Sequence, residues 1–161
     1  MNSNLEKLLI IDFGSQFTQL IGRKLRELNV FSEIIPYQNV SNKTLENYNP
    51  KAVILSGGPS SVVGKKFPLP PSNLFDLDIP VLGICYGLQV MMKLLGGTVY
   101  SGTGTSEFGK SILKKTVSNS KIINDLFIKG QEQVWMSHGD HVSGLSEGFE
   151  AIASSEGAPF A

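Results

Sequence analysis

The sequence of 161 residues has a single cysteine, no excess of either charge and no long hydrophobic run. One cysteine excludes a disulfide within the chain, so Cys85 is either a buried apolar residue or a reactive thiol. Because 14 basic residues balance 14 acidic ones, charge gives no reason to expect a nucleic acid or an anionic membrane as partner. The first residues lack the apolar core of a signal peptide, and the apolar runs are strand-sized, which predicts a cytoplasmic protein.

Short β-branched runs alternate with helical patterns in the first part of the chain. The strand-like runs occupy residues 8–12, 31–35, 52–55 and 81–84. The intervening helical stripes comprise Leu20, Ile21, Leu25 and Leu28, a segment opened by Ser41, and Leu88, Met91, Met92 and Leu95. This alternation predicts an α/β fold with a doubly wound, mostly parallel sheet.

The second part of the chain has a different pattern, in which glycine-rich turns separate short strand-like runs around Val99, Ile112 and Val134. These runs predict a small β appendage on the sheet. Prolines within residues 64–80 exclude a central strand and predict an irregular connection there. Length and an ordinary composition, 41% hydrophobic and 17% charged, predict one domain over residues 1–161.

Three unusual segments follow predicted parallel strands, at residues 12–16, 56–60 and 83–87. In open α/β sheets, ligands bind outside the carboxyl ends of the strands. The agreement of three loops therefore predicts a functional site at this edge of the sheet.

Cys85 lies in a Gly-x-Cys-x-Gly segment, directly after a predicted strand and directly before an amphipathic helix. This is the strand-turn-helix context of a nucleophile elbow, with cysteine in the place of serine. The flanking glycines allow a sharp turn, and the N-terminus of a helix favours the thiolate. Cys85 is therefore predicted to be a nucleophile.

Attack by a thiolate on an acyl group requires hydrogen-bond donors for the oxyanion that forms. The Ser-Gly-Gly-Pro turn at residues 56–59 can supply the Gly58 N–H, and the start of the following helix can supply the Tyr86 N–H. A phosphate-binding loop is the competing interpretation of the turn. It is disfavoured because Pro59 has no N–H and no Walker lysine follows.

Four segments together carry a resemblance to a known family: Asp-Phe-Gly-Ser-Gln at 12–16, Ser-Gly-Gly-Pro at 56–59, Gly-Ile-Cys-Tyr-Gly-x-Gln at 83–89 and Trp-Met-Ser-His-Gly-Asp at 135–140. The chain resembles, over essentially its whole length, the amino-terminal glutaminase domain of the GMP synthetase family of class I glutamine amidotransferases. The resemblance implies a flavodoxin-like sheet.

The same resemblance implies the chemistry and the site residues. Cys85 would attack the side-chain amide of glutamine, releasing ammonia and leaving a thioester that water hydrolyses to glutamate. The ammonia would aminate XMP to GMP. The other implied site residues are Gly58 and Tyr86 as backbone oxyanion donors, Gln89 as a contact to glutamine, and Ser137, Gly139 and Asp140 as ligands of its α-amino and α-carboxylate groups. Ser15 and Gln16 would shape the mouth of the site or the face that meets the synthetase domain.

The resemblance implies no cofactor and no metal for this domain, whose substrate is L-glutamine. Its implied partner is an ATP pyrophosphatase domain that aminates XMP with ATP and magnesium, either in the same polypeptide or in a separate one. Neither nucleic acid nor membrane is an expected partner.

The family also carries a His-x-Glu motif that completes the catalytic site, and no such motif occurs in these residues. The domain is therefore expected to be incomplete at its carboxyl terminus, and the chain alone to hydrolyse glutamine poorly. The His-Gly-Asp segment that begins at His138 is not expected to substitute, because the family has its catalytic histidine in addition to this segment. His138 is then expected to be a wall or interface residue, and His141 an exposed loop residue.

Two alternatives remain open. One is another class I amidotransferase, serving anthranilate, carbamoyl phosphate or imidazole glycerol phosphate chemistry, which would share Cys85 and Gln89. The other is a noncatalytic regulatory module that uses Cys85 as an oxidation sensor. Such a module would need neither Gln89 nor the glycine pair of the oxyanion turn.

Overall fold

The computed structural model of the protein describes residues 6–101, 106–117, 120, 123, 125–127 and 129–161. Its strands and helices, in chain order, are β1 (Lys7–Asp12), α1 (Thr18–Glu27), β2 (Phe31–Pro36), α2 (Asn42–Tyr48), β3 (Ala52–Leu55), β4 (Val81–Gly83), α3 (Tyr86–Leu95), β5 (Thr98–Ser101), β6 (Glu107–Lys115), β7 (Gln131–His138), β8 (Asp140–Gly144) and β9 (Ala153–Ser154). Short 3₁₀ helices occupy Tyr37–Asn39 and Leu74–Asp76. The chain divides into two compact units, Met1–Val90 and Met91–Ala161.

The first unit contains a four-stranded sheet in the order β2-β1-β3-β4, in which all three strand pairs are parallel. This order is that of the first strands of a flavodoxin-like sheet. The predicted α/β fold with a mostly parallel sheet is thereby confirmed. The proline-rich connection between β3 and β4 contains only one short 3₁₀ helix, as its composition predicts.

The centre of this sheet is fully buried, and this explains why its strands are continuous apolar runs rather than alternating ones. Leu9, Ile10 and Ile11 of β1 are all 0% exposed, and Val53 and Leu55 of β3 are nearly so. A parallel sheet covered on both faces requires such runs. Burial of each of these side chains contributes about 1.5–3 kcal/mol to stability.

Helix α1 lies close to the sheet because a glycine faces it. A β-carbon built on Gly22 would lie 2.9 Å from the Cδ1 atom of Ile34 in β2. Thr18 and Gly22 are buried, whereas Leu20 and Leu28, which belong to the predicted apolar stripe, are exposed. Thr18 and Gly22 therefore form the most buried part of this helix, and Ile21 and Leu25 of the predicted stripe are half-buried.

Helix α2 begins as the sequence predicts. The Ser41 hydroxyl accepts a hydrogen bond from the Thr44 N–H, and the Thr44 hydroxyl accepts one from the Ser41 N–H. This reciprocal capping box satisfies two backbone donors that the helix itself cannot pair.

The second unit is built from antiparallel strands, with β5 paired to β8 and a three-stranded sheet in the order β7-β6-β9. The strands predicted around Val99, Ile112 and Val134 are confirmed as β5, β6 and β7. One apolar cluster of this unit comprises Ile123, Phe127 and Ala153, with Leu113 and Ile152 packed against them. No helix in the described ranges has both the length and the apolar character needed to cross a bilayer.

Candidate functional site

Three loops of the first unit leave the sheet at the same level. Ile11 of β1 pairs with Leu55 of β3, and Leu55 pairs with Gly83 of β4. The loops that follow these strands therefore begin side by side at one edge of the sheet. This edge is where the sequence predicts a site.

Cys85 lies between β4 and α3, and its backbone has a positive φ of 52°. A residue with a β-carbon adopts this left-handed conformation only at a cost of about 1–2 kcal/mol. The turn leaves Cys85 exposed, while its carbonyl accepts a hydrogen bond from the Gln89 N–H at 3.1 Å in the first turn of α3. The conformation is that of a strained elbow that presents the thiol at the sheet edge.

The two glycines that flank Cys85 allow α3 to approach the sheet. A β-carbon on Gly83 would lie 2.6 Å from the Leu88 backbone nitrogen, and one on Gly87 would overlap the Leu55 carbonyl oxygen. Both obstacles are main-chain atoms, which cannot move aside as a side chain can. Glycine is therefore required on each side of the elbow for packing of the backbone.

The Gly57-Gly58 turn brings the three loops together. A β-carbon on Gly57 would lie 3.5 Å from Ser15 Oγ and 3.6 Å from Cys85 Cβ, so this residue separates the first loop from the elbow. A β-carbon on Gly58 would lie 2.5 Å from the Phe13 carbonyl oxygen. Ser15 and Cys85 thus both lie next to Gly57, and only glycine fits at position 58.

A hydrogen-bond network holds the first loop against the second. Asp12 Oδ1 accepts hydrogen bonds from the Gly14 N–H at 2.9 Å and from Thr18 Oγ1 at 2.8 Å. The Ser56 hydroxyl accepts one from the Phe13 N–H at 2.9 Å. No role was predicted from the sequence for Asp12 or Ser56, although each begins one of the unusual segments at residues 12–16 and 56–60. Asp12 is the last residue of β1, and Ser56 directly follows β3.

Tyr86, the first residue of α3, is fixed through its side chain. The residue is 1% exposed, and the centroid of its ring lies 5.1 Å from that of Phe13. Its hydroxyl donates a hydrogen bond to the Pro68 carbonyl. Burial raises the pKa of Tyr86 to about 12, with a smaller contribution from Tyr37. The phenol thus stays neutral at physiological pH, and the backbone N–H is the group that Tyr86 can offer to a ligand, since a helix leaves its first N–H groups unpaired.

Gln89 lies one helical turn after Cys85, as its spacing predicts. The residue is only 6% exposed. It is therefore not a solvated residue on the outer face of the helix.

The remaining predicted site residues follow one another in the second unit. Ser137 is the penultimate residue of β7, Gly139 connects β7 to β8, and Asp140 begins β8. Ser137 is exposed and Asp140 is 8% exposed. Cys85, Gly58, Tyr86 and Gln89 belong to the first unit.

His138 interacts with an acidic residue that was not predicted from the sequence. Its Nε2 atom lies 3.1 Å from Glu107 Oε2, and Glu107 also accepts hydrogen bonds from Ser155 and Ser111. Burial raises the pKa of Glu107, but these three partners and the Gly157 N–H together lower it below its ordinary value. The alternation along β6 could have indicated from the sequence that Glu107 faces inward. Pairing of β6 with β7 then places it opposite His138.

His141 is not an exposed loop residue, so that expectation is wrong. It lies in β8, is 9% exposed, and its ring packs edge-on against Tyr100 at a centroid distance of 5.8 Å. Pairing of β8 with β5 places these two residues opposite each other. The adjacent glycine and aspartate favoured a loop, but strand pairing prevails.

Within the described part of the chain, no group of three or more His, Cys, Asp or Glu side chains is arranged to hold a metal ion.

Comparison with known proteins identifies relatives of the whole chain. A sequence model of the family described as glutamine amidotransferase class-I matches residues 9–160. A GMP synthase (glutamine-hydrolyzing) of Cereibacter sphaeroides is 58% identical over 156 residues, and one of Dinoroseobacter shibae is 56% identical over the same length. Each alignment covers 97% of this chain and 30% of the relative, so the chain spans about a third of these proteins.

Among solved structures, a protein of Thermoplasma acidophilum described as a GMP synthase component matches with a TM-score of 0.79 and 27% identity. The match covers 99% of this chain and 77% of that one. A glutamine amidotransferase of Thermotoga maritima shares the fold with a TM-score of 0.71 at 23% identity, covering 95% of this chain and 68% of that one.

Proposed function

Because the chain belongs to the class I glutamine amidotransferase family, we propose that Cys85 hydrolyses the side-chain amide of glutamine and that the ammonia aminates XMP to GMP. The observation that carries the proposal is the exposed Cys85 on a strained turn, with a glycine on each side that lets α3 pack against the sheet. The curated relatives, named as glutamine-hydrolysing GMP synthases, support the choice of acceptor.

The reaction has two steps at one sulfur atom. The Cys85 thiolate attacks the amide carbon of glutamine, a C–S bond forms, and the C–N bond breaks as the nitrogen leaves with a proton as ammonia. Water then attacks the thioester, which releases glutamate and restores the thiol. Glutamine and water are thereby converted to glutamate and ammonia.

Both steps pass through a tetrahedral oxyanion, for which the N–H groups of Gly58 and Tyr86 are the proposed donors. Gly57, the residue before Gly58, borders Cys85, and Tyr86 directly follows Cys85 in the chain. Preorganised donors of this kind supply several kcal/mol of transition-state stabilisation, about 3–4 for one donor. Gln89 is the proposed contact to the substrate on the same helix.

We assign the α-amino and α-carboxylate groups of glutamine to Ser137, Gly139 and Asp140. An acidic side chain suits the ammonium group, and a serine hydroxyl and a glycine N–H suit the carboxylate. These three residues lie close together in sequence at the connection between β7 and β8.

A cysteine nucleophile of this type requires an imidazole for proton transfer and an acid that orients it. His138 is not proposed for this role, because amidotransferases of this family have their catalytic histidine in addition to the segment that contains His138. The chain spans only 30% of the curated relatives, and we propose that the imidazole and the acid belong to the rest of such an enzyme, together with an XMP-aminating ATP pyrophosphatase as partner. ATP and magnesium would be used by that partner. We further propose that the enzyme is located in the cytoplasm.

The test separates the two sources of nitrogen. In the full-length enzyme, Cys85→Ala should abolish GMP formation from XMP, ATP and glutamine, while formation from added ammonia should remain. Loss of a nucleophile costs several orders of magnitude in kcat, about 10⁶-fold in a comparable enzyme. Chromatographic measurement of GMP and glutamate with each nitrogen source gives both values.

The alternatives predict different outcomes. Another class I amidotransferase would release glutamate through Cys85 but would form no GMP from XMP. An oxidation sensor would release no glutamate at all. Glutamine-dependent GMP formation that survives in Cys85→Ala would disprove the role of the thiol.

A further inference from the structure

Ser56 is a buried polar residue beside the proposed oxyanion site that the mechanism does not yet use. It follows β3 directly, and its side chain is fully buried at 0% exposure. A hydroxyl buried in this way remains stable only when it is hydrogen-bonded. The atoms that it bonds therefore indicate its role.

The Ser56 hydroxyl joins the first loop to the second. It accepts a hydrogen bond from the Phe13 N–H at 2.9 Å and donates one to the Gly57 carbonyl at 2.8 Å. Asp12 Oδ1 lies farther away, at 3.4 Å. Because a hydroxyl has only one proton, the shorter contact, to the Gly57 carbonyl, is the one that receives it.

The Gly57 carbonyl belongs to the same peptide group as the Gly58 N–H. A peptide group is planar and trans, so its carbonyl and its N–H point in opposite directions. Fixing the carbonyl toward the buried Ser56 therefore turns the N–H away from the interior, on a segment that borders the exposed Cys85. In the part of the chain that the structure describes, no group accepts a hydrogen bond from this N–H.

Without such an anchor the peptide group would be poorly fixed. It is flanked by two glycines, which have the widest choice of backbone angles and the largest conformational freedom to lose. The contact of Gly58 with the Phe13 carbonyl limits where its α-carbon lies but not how the preceding peptide group is rotated. An oxyanion donor is effective only when its direction is fixed before the reaction.

We propose that Ser56 is a positioning residue, whose hydroxyl orients the Gly57-Gly58 peptide group so that the Gly58 N–H faces the oxyanion. This inference rests on the proposed glutaminase function. It adds a residue that touches neither glutamine nor Cys85 but determines the direction of one of the two donors.

The experiment uses Ser56→Ala in the full-length enzyme, with Ser61→Ala as the matched control. The Ser61 hydroxyl also accepts a backbone hydrogen bond, from Val63, but in an exposed part of the same loop. In Ser56→Ala, kcat for glutamine hydrolysis should fall at least tenfold, up to the about 10²–10³-fold loss seen when a donor is removed outright. KM for glutamine and GMP formation from ammonia should stay within about twofold, because the donor acts only in the transition state.

A second reaction of the same thiol separates positioning from general damage. Alkylation of Cys85 by iodoacetamide forms no oxyanion, so its rate should be equal in Ser56→Ala, Ser61→Ala and the wild type. An unchanged kcat in Ser56→Ala, or equal losses in hydrolysis and alkylation, would overturn the inference. Absence of Cys85-dependent hydrolysis in the wild type would instead disprove the proposed function.

A crystal structure of the wild-type thioester or of a tetrahedral adduct provides a test that needs no variant. The Gly58 N–H should lie about 2.7–3.1 Å from the former amide oxygen, while Ser56 Oγ still contacts the Gly57 carbonyl. An adduct in which that contact is broken would refute the role of Ser56 even if Ser56→Ala does not fold.

Discussion

Replacing Gly58 by alanine tests the proposed oxyanion turn most directly. The new β-carbon would lie 2.5 Å from the Phe13 carbonyl oxygen and 3.0 Å from Phe13 Cβ. Since the nearer atom belongs to the backbone of a loop held by hydrogen bonds, the turn itself must move by several tenths of an ångström. A displacement of about 1 Å at a reacting group costs about 100-fold in rate.

The expected result is a loss in kcat with little change in KM. Loss of one oxyanion donor costs about 2.7–4 kcal/mol, which corresponds to about 10²–10³-fold in kcat. We expect Gly58→Ala in the full-length enzyme to approach this range for glutamine hydrolysis, measured as glutamate release at saturating glutamine. GMP formation from ammonia should be unchanged, because it does not use the turn.

Gly64→Ala is the matched control in the same loop. A β-carbon there would have only ordinary contacts, the nearest being the carbonyl oxygens of Lys66 and Ser61 at 3.9 Å. This variant should keep both activities. Equal loss of glutamine-dependent and ammonia-dependent activity in Gly58→Ala would show that the turn serves folding or the synthetase part. An unchanged kcat would remove Gly58 from the oxyanion site.

Two further predictions concern the Glu107–His138 pair in the second unit. The pKa of Glu107 is lowered in the folded state, so its carboxylate stabilises the fold above the unfolded-state pKa of about 4.5, and this stabilisation is lost as pH falls through the lower folded-state pKa. Urea denaturation between about pH 3 and about pH 7 should therefore show a smaller acid-induced loss of stability in Glu107→Gln than in the wild type. An equal dependence of stability on pH in the two proteins would contradict this role of Glu107. His138→Ala in the full-length enzyme should keep glutaminase kcat within about tenfold, because the proposed catalytic histidine is a different residue, whereas loss of a true catalytic base would cost several orders of magnitude in glutamate release.

Much of the parallel sheet could be predicted because its determinants are local. The apolar runs of β1 and β3 identify buried parallel strands, and Ser41 identifies the start of α2 through a cap that spans only four residues. The elbow at Cys85 was likewise predictable, since the required glycines are its neighbours in sequence.

The features that could not be predicted depend on pairs of residues distant in sequence. Ser56 bonds to the Phe13 N–H across two loops, and Glu107 meets His138 only through the register of β6 and β7. The burial of His141 likewise follows from pairing of β8 with β5. Such contacts are set by strand register, which the composition of a single segment does not specify.

The left-handed backbone at Cys85 has a consequence for the balance between stability and activity. The rest of the fold holds Cys85, which has a β-carbon, at a φ of 52°, and this left-handed conformation costs about 1–2 kcal/mol. Domains of this size have a total stability of only about 5–15 kcal/mol, so this one residue consumes a sizeable fraction of it. Glycine at position 85 would relieve the strain and remove the nucleophile at once. The most stable elbow is therefore an inactive one, and an engineering effort that selects for thermal stability alone would tend to discard the reactive thiol.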